Sequence, residues 1–156
     1  MIAQASLCIT FSPIHTVEYY VNLAKKFIEA GADEICLKDM AGIGRPKSLG
    51  KIVAGIKAIK KDIVIQYHSH AGPGFNMASI LEVAENGCDY IDCGMSPLSW
   101  GTGHADVITV IETLKDAGFK VKDVNMAAYM EVRTQIQEMM DDFLGYYIPA
   151  LNQLNN

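Results

Sequence analysis

The chain lacks any long hydrophobic run. Half of its 156 residues are hydrophobic, yet no stretch approaches the roughly 18 consecutive apolar residues that a membrane-spanning helix needs, so no membrane insertion is expected. It also lacks a positive surplus. Thirteen Lys and Arg stand against 18 Asp and Glu, for a net charge of -5, which leaves no electrostatic reason to seek nucleic acid or an anionic membrane. None of the four cysteines, Cys8, Cys36, Cys88 and Cys93, forms a CxxC pair. Three lie in apolar strand-like runs, where a free Cys behaves as a small hydrophobe. Buried reduced thiols are therefore expected, with a disulfide or a catalytic thiol as the alternative. Met1-Ile2-Ala3-Gln4-Ala5 shows no basic segment followed by a long apolar one, the mark of a secretory signal, and a cytoplasmic location is expected by default.

What is present is periodic. Glu29-Ala30-Gly31-Ala32-Asp33-Glu34-Ile35 and Glu85-Asn86-Gly87-Cys88-Asp89-Tyr90-Ile91 are alike. Each reads as a helix end, a glycine where positive φ is needed, and the start of a strand. Two further strand-like runs are Ala5-Ser6-Leu7-Cys8-Ile9-Thr10 and Ile63-Val64-Ile65-Gln66-Tyr67. The strand centres at Leu7, Ile35, Val64 and Ile91 are spaced by 28, 29 and 27 residues, the length of one βα unit.

The intervening segments carry helical spacing. Val17, Tyr20, Val21, Ala24, Phe27 and Ile28 mark the first helix, with Thr16 as N-cap and Glu18 in its first turn. Leu49, Ile52, Val53, Ile56 and Ile59 mark the second, with Pro46 near its start. Met77, Ile80, Leu81 and Ala84 mark a third. Val107, Val110, Ile111 and Leu114 mark a fourth, ending before Gly118. A longer, polar-faced helix is expected over residues 126–147, stopped by Pro149. Four βα units with short connections predict an α/β fold with a parallel sheet. An open flavodoxin-like sheet is one solution. Even spacing and the absence of a glycine-rich phosphate loop after the first strand favour the other, a TIM (β/α)8 barrel of which four units are present.

In β/α folds the chemistry gathers at the C-terminal ends of the strands. The third strand ends in His68-Ser69-His70. Alternation points both imidazoles the same way, as a metal pair would require; two mouth residues hydrogen-bonded to their neighbours is the plainer reading. The second strand ends in Lys38-Asp39. A lysine held among hydrophobes is costly as an ammonium, so its pKa should fall, making it a base, a Schiff-base nucleophile or, after reaction with CO2, a carbamate ligand. A snorkelling lysine paired with Asp39 is the alternative. The fourth strand leads into Gly94-Met95-Ser96-Pro97-Leu98-Ser99-Trp100-Gly101-Thr102-Gly103-His104, which could bring a hydroxyl and backbone N–H groups to a substrate or simply cap the last helix, with Trp100 packing over the rim.

The run Cys36-Leu37-Lys38-Asp39-Met40-Ala41-Gly42, followed by His68-Ser69-His70, resembles the carboxyltransferase domain of biotin-dependent enzymes: pyruvate carboxylase, the oxaloacetate decarboxylase α subunit and the large transcarboxylase subunit. Ser12-Pro13-Ile14-His15-Thr16-Val17-Glu18-Tyr19 resembles the segment after that family's fifth barrel strand. Asp141-Asp142-Phe143-Leu144-Gly145-Tyr146-Tyr147 resembles a stretch beyond the barrel. The resemblance implies strands five to eight of a TIM barrel over residues 1–120 and a truncated helical extension over 121–156. It implies a divalent metal (zinc, manganese or cobalt) held by His68, His70 and a carbamylated Lys38. Thr102 would shuttle a proton between biotin and pyruvate, and Lys38 would serve the catalytic centre. Biotin would arrive as carboxyl carrier on another domain or subunit, and the substrate would be an α-keto acid, pyruvate or oxaloacetate.

Two departures stand out. The family's aspartate ligand, with its neighbouring arginine and glutamine, comes from the first barrel strand, and nothing here matches it; nor is there a biotin-attachment motif. The polar stretch that usually follows the second histidine is here Ala71-Gly72-Pro73-Gly74. The expected function is metal-dependent carboxyl transfer, by a chain that requires the complementary half-barrel or a second copy of itself. The alternatives are a non-catalytic metal-binding or assembly module and a metal-dependent aldolase or lyase of the same barrel superfamily.

Overall fold

The computed structural model describes residues 1–143. The order is β1 (Gln4–Cys8), α1 (Val17–Glu29), β2 (Glu34–Asp39), α2 (Pro46–Ile59), β3 (Val64–Ser69), α3 (Asn76–Glu85), β4 (Tyr90–Ile91), α4 (Val107–Asp116) and α5 (Met126–Phe143). The strands form one parallel sheet in the order β1-β2-β3-β4. Consecutive neighbours joined by crossover helices are the barrel arrangement, and four of its eight units are seen.

The local signals act where expected. The Thr16 hydroxyl accepts from the Tyr19 N–H at 3.2 Å, closing the first turn of α1, and Pro46 occupies the start of α2. Tyr20 and Ala24 of α1, and Leu49, Ile52, Val53 and Ile56 of α2, are buried against Leu7, Ile35, Leu37, Ile65 and Tyr67 of the sheet. The Arg45 guanidinium lies 4.6 Å from the ring centroids of both Phe11 and Phe75. This cation–π sandwich ties the β1–α1 and β3–α3 loops together.

Three expectations are corrected. β1 stops at Cys8 instead of continuing to Thr10, because the Tyr20 hydroxyl intervenes, taking the Thr10 N–H at 2.7 Å and donating to the Cys8 carbonyl at 3.1 Å. β4 is only two residues long; beyond it the chain bridges to the loop before α4 through Gly94 and Asp106. Cys8 is exposed and only Cys36 is fully buried: both fall on the sheet face that no helix covers, but Cys8 ends the edge strand while Cys36 lies within an inner strand flanked by β1 and β3. All four cysteines are free thiols.

Helix α5 docks through Tyr129, whose hydroxyl donates to the Asp106 carboxylate at 2.8 Å. The same carboxylate accepts from Ser96 N, Ser99 Oγ and, as N-cap of α4, Ile108 N. The stretch of the expected last helix from 144 to 147 lies outside the described residues. No helix among the described residues is long and apolar enough to cross a membrane.

Candidate metal centre

The parallel register places Cys8, Lys38 and His68 side by side near the C-terminal ends of β1, β2 and β3. Side chains alternate along each strand. Ile35, Leu37 and Asp39, with Ile65, Tyr67 and Ser69, are buried on one face, while Glu34, Lys38, Val64, Gln66 and His68 on the other keep partial exposure. Lys38 therefore sits among polar and sulfur-bearing neighbours, not in the apolar setting expected for it. Nor does it pair with Asp39, which points away into the helix layer.

Asp39 has a structural task of its own. Its carboxylate accepts from Ile43 N at 3.0 Å and Gly44 N at 2.9 Å. Its carbonyl accepts from Gly42 N and from His70 N. Gly42 has φ 65° and lies against the His70 carbonyl so closely that a Cβ there would collide with it. The Lys-Asp-Met-Ala-Gly turn is thus the shelf that holds the backbone of His70, and glycine is required at its last position.

The two expected histidines come together, with ring centroids 5.5 Å apart. A third joins them. His104, from the β4–α4 loop, has its ring 4.5 Å from that of His68 and 4.8 Å from that of His70. One nitrogen from each of the three lies within 4.8 Å of the others. Each ring is anchored by its Nδ1. That of His68 bonds the Asp92 carboxylate at 2.7 Å, that of His70 the Thr102 carbonyl, and that of His104 the Ser69 carbonyl at 2.8 Å. An oxygen acceptor on one ring nitrogen fixes the tautomer and leaves the other nitrogen as a ligand atom. Asp92 is itself held by Gln66 Nε2 at 2.6 Å, and Gln66 Oε1 accepts from Gln4 at 2.6 Å. Burial holds the His104 imidazole below its ordinary pKa against the opposing pull of its bond to Ser69. It thereby favours the neutral, ligating form.

Thr102 is exposed, and its carbonyl is committed to His70 while its side chain stands at the rim. Sequence reasoning missed Asp92 as the partner of His68 and named His104 only as a loop residue. Strand-end position marks Asp92; no periodicity marks His104. Three of the thiols are poor nucleophile candidates. Burial pushes Cys88 up to about 12 and Cys93 to about 11, and raises Cys36 as well.

With this geometry in view, residues 6–138 match the family model described as HMGL-like. The chain belongs to the HMGL-like family. It is 35% identical over 152 residues to a pyruvate carboxylase subunit of Methanocaldococcus jannaschii, covering 94% of this chain and 25% of that one. It is 38% identical over 118 residues to the methylmalonyl-CoA carboxyltransferase 5S subunit of Propionibacterium freudenreichii subsp. shermanii, covering 75% and 23%. The carboxyl transferase domain of Rhizobium etli pyruvate carboxylase, solved with pyruvate and biocytin, superimposes with a TM-score of 0.68 at 29% identity over 72% of this chain and 20% of that chain. The HMGL-like chain described here thus has the fold of part of a carboxyltransferase barrel, and spans about a quarter of the length of the curated relatives it matches.

Proposed function

We propose that the chain supplies one rim of a metal-dependent carboxyltransferase that moves a carboxyl group between carboxybiotin and an α-keto acid such as pyruvate. The observation that carries this is the anchoring of His68 and His70 through Nδ1, which readies both rings for a cation at the strand ends. The donor set fits such an ion: two imidazoles, with Lys38 in register beside His68 as an oxygen ligand once carbamylated, suit zinc, manganese or cobalt. The ion, when bound, would stabilise negative charge developing on the oxygen of the keto acid.

The chain's own residues do the rest. Asp92 orients His68, the Thr102 carbonyl orients His70, and the Thr102 hydroxyl carries a proton between biotin and pyruvate. Residues 1–120 act as the half-barrel, and residues 121–156, which include α5, as an extension of it. The outer edges of β1 and β4 are unpaired among the described residues, and edges of this kind call for pairing. The complementary four-stranded half, from a longer chain or a separate one, would supply a further carboxylate ligand and the contacts to a biotin carrier.

Mixing the chain with a separately expressed N-terminal half-barrel of a pyruvate carboxylase carboxyltransferase domain, free biotin and oxaloacetate should give biotin-dependent decarboxylation of oxaloacetate to pyruvate, the carboxyl group passing to biotin and leaving as CO2, lost in His68→Ala. A reconstituted barrel with bound metal and no turnover would leave a metal-binding module and overturn the catalytic reading.

A further inference from the structure

We infer that His104 is a third imidazole ligand, and that His68, His70 and His104 together hold one divalent cation of the zinc class with no residue from any other half. This deepens the metal reading above and rests on it. His104 adds the ligand that makes a site contained in this chain.

The three rings reach one point from two separate segments, the end of β3 and the β4–α4 loop, 34 residues apart between His70 and His104. Two backbone-directed contacts clamp those segments together: Ala71 N donates to the Gly103 carbonyl at 2.9 Å, and His70 Nδ1 bonds the Thr102 carbonyl. The small residues after His70 permit this approach. Ala71 is buried, and Gly72 lies so near the β4–α4 loop that a Cβ there would be in van der Waals contact with the Gly101 carbonyl at 3.5 Å. Gly103 has no room for a side chain, because a Cβ there would collide with the Leu98 carbonyl. The same convergence brings His104 Nδ1 to the Ser69 carbonyl at 2.8 Å and a nitrogen of its ring to within 4.8 Å of nitrogens of His68 and His70.

The spacing suits a cation. Ligand atoms on a tetrahedral ion at about 2.0–2.1 Å sit roughly 3.3 Å apart. Ring nitrogens already within 4.8 Å of one another reach that spacing by small side-chain rotations. Three imidazoles leave a fourth position for water or a substrate oxygen, the pattern of an open zinc site.

The test is titration of the full 156-residue chain with Co2+ and Zn2+ in bicarbonate-free buffer, where carbamylation of Lys38 contributes nothing. One ion should bind per chain, with the visible absorption of four-coordinate cobalt. His104→Ala and His104→Gln should each weaken binding at least tenfold and reduce that absorption, while His15→Ala, at the remaining histidine, should bind as wild type. Binding within twofold of wild type in both His104 variants, with an unchanged cobalt spectrum, overturns the inference. If His68→Ala and His70→Ala still abolish binding in that event, the two-histidine reading survives without it; if they too have no effect, both fail. A measurement on the unmutated chain guards against misfolded variants. Long-range 1H–15N spectra should show Nε2 of His68, His70 and His104 all shifting with one equivalent of Zn2+, and an unmoved His104 Nε2 overturns the inference.

Discussion

The two faces of the sheet are built from the same strands and do opposite things. On the helix side, Ile35, Leu37, Ile65 and Tyr67 are sealed beneath α1, α2 and α3. On the other side, Gln4, Glu34, Gln66, Asp92 and His68 form a hydrogen-bonded polar chain that ends at the candidate metal centre: Gln4 donates to Glu34 and Gln66, Gln66 donates to Asp92, and Asp92 pairs with His68. Period-two alternation generates both faces. The first face has its partners within the chain, and its burial holds the fold. The second holds the chemistry and is only partly covered. Stability and function are therefore expected to respond to different residues of one strand.

That separation can be broken most directly inside β2. Leu37→Ala empties a fully buried position and should cost about 2–5 kcal/mol, read as a lower urea midpoint at unchanged slope. Zinc affinity of the folded protein should stay within twofold. Glu34→Ala, on the polar face of the same strand, should change stability by no more than about 0.5 kcal/mol. Equal losses in the two variants would show that the faces are not energetically distinct.

A smaller effect is expected where the faces meet. Gly42→Ala forces a side chain into positive φ and against the His70 carbonyl. Strain of this kind costs on the order of 1–3 kcal/mol, and here it also displaces the proposed ligand His70. Both the unfolding midpoint and the zinc affinity should fall. Loss of stability with full affinity would mean that the turn does not position His70. Smaller again, and confined to the site, is Asp92→Asn. It keeps the shape, but with its oxygen still accepting from Gln66 it turns an NH2 donor toward His68 Nδ1 in place of the carboxylate acceptor, which works against the tautomer that leaves the other nitrogen free to ligate. Metal affinity should drop roughly 10- to 100-fold, as for other outer-shell partners, with the thermal midpoint unmoved.

The part of this architecture legible in the sequence is the part produced by local chemistry. The βα period, the Thr16 cap, Pro46 at the start of α2 and the paired direction of His68 and His70 all follow from neighbours within a few residues, and the structure reproduces them. Family resemblance extended the reading to a partial carboxyltransferase barrel, which the comparisons bear out. What escaped depends on contacts between distant segments. Asp92 serves His68 across a strand pair, and Asp106 gathers Ser96, Ser99 and Tyr129 from two loops and a helix. His104 meets the other histidines only because Ala71 and Gly103 bring two loops together. The shortness of β4 was hidden because Tyr90-Ile91 and the residues after them read as an ordinary strand.

The smallest expected effect involves no loss of stability and asks what covers the open face. Cys8 is exposed at the end of β1, beside Lys38. Cys88 is pushed up to about 12 and Cys93 to about 11 by burial, so at about pH 8 their reactive thiolates are scarce. Iodoacetamide should therefore label Cys8 first, with Cys88 and Cys93 lagging by far more than tenfold as followed by peptide mass. Raising the pH should speed those two roughly tenfold per unit. Adding an N-terminal half-barrel should then slow Cys8 labelling at least fivefold, because the cover that completes a barrel encloses the face on which Cys8 stands. Unchanged labelling of Cys8 in a mixture that forms a stable complex would place the partner elsewhere and leave the polar face a surface in its own right.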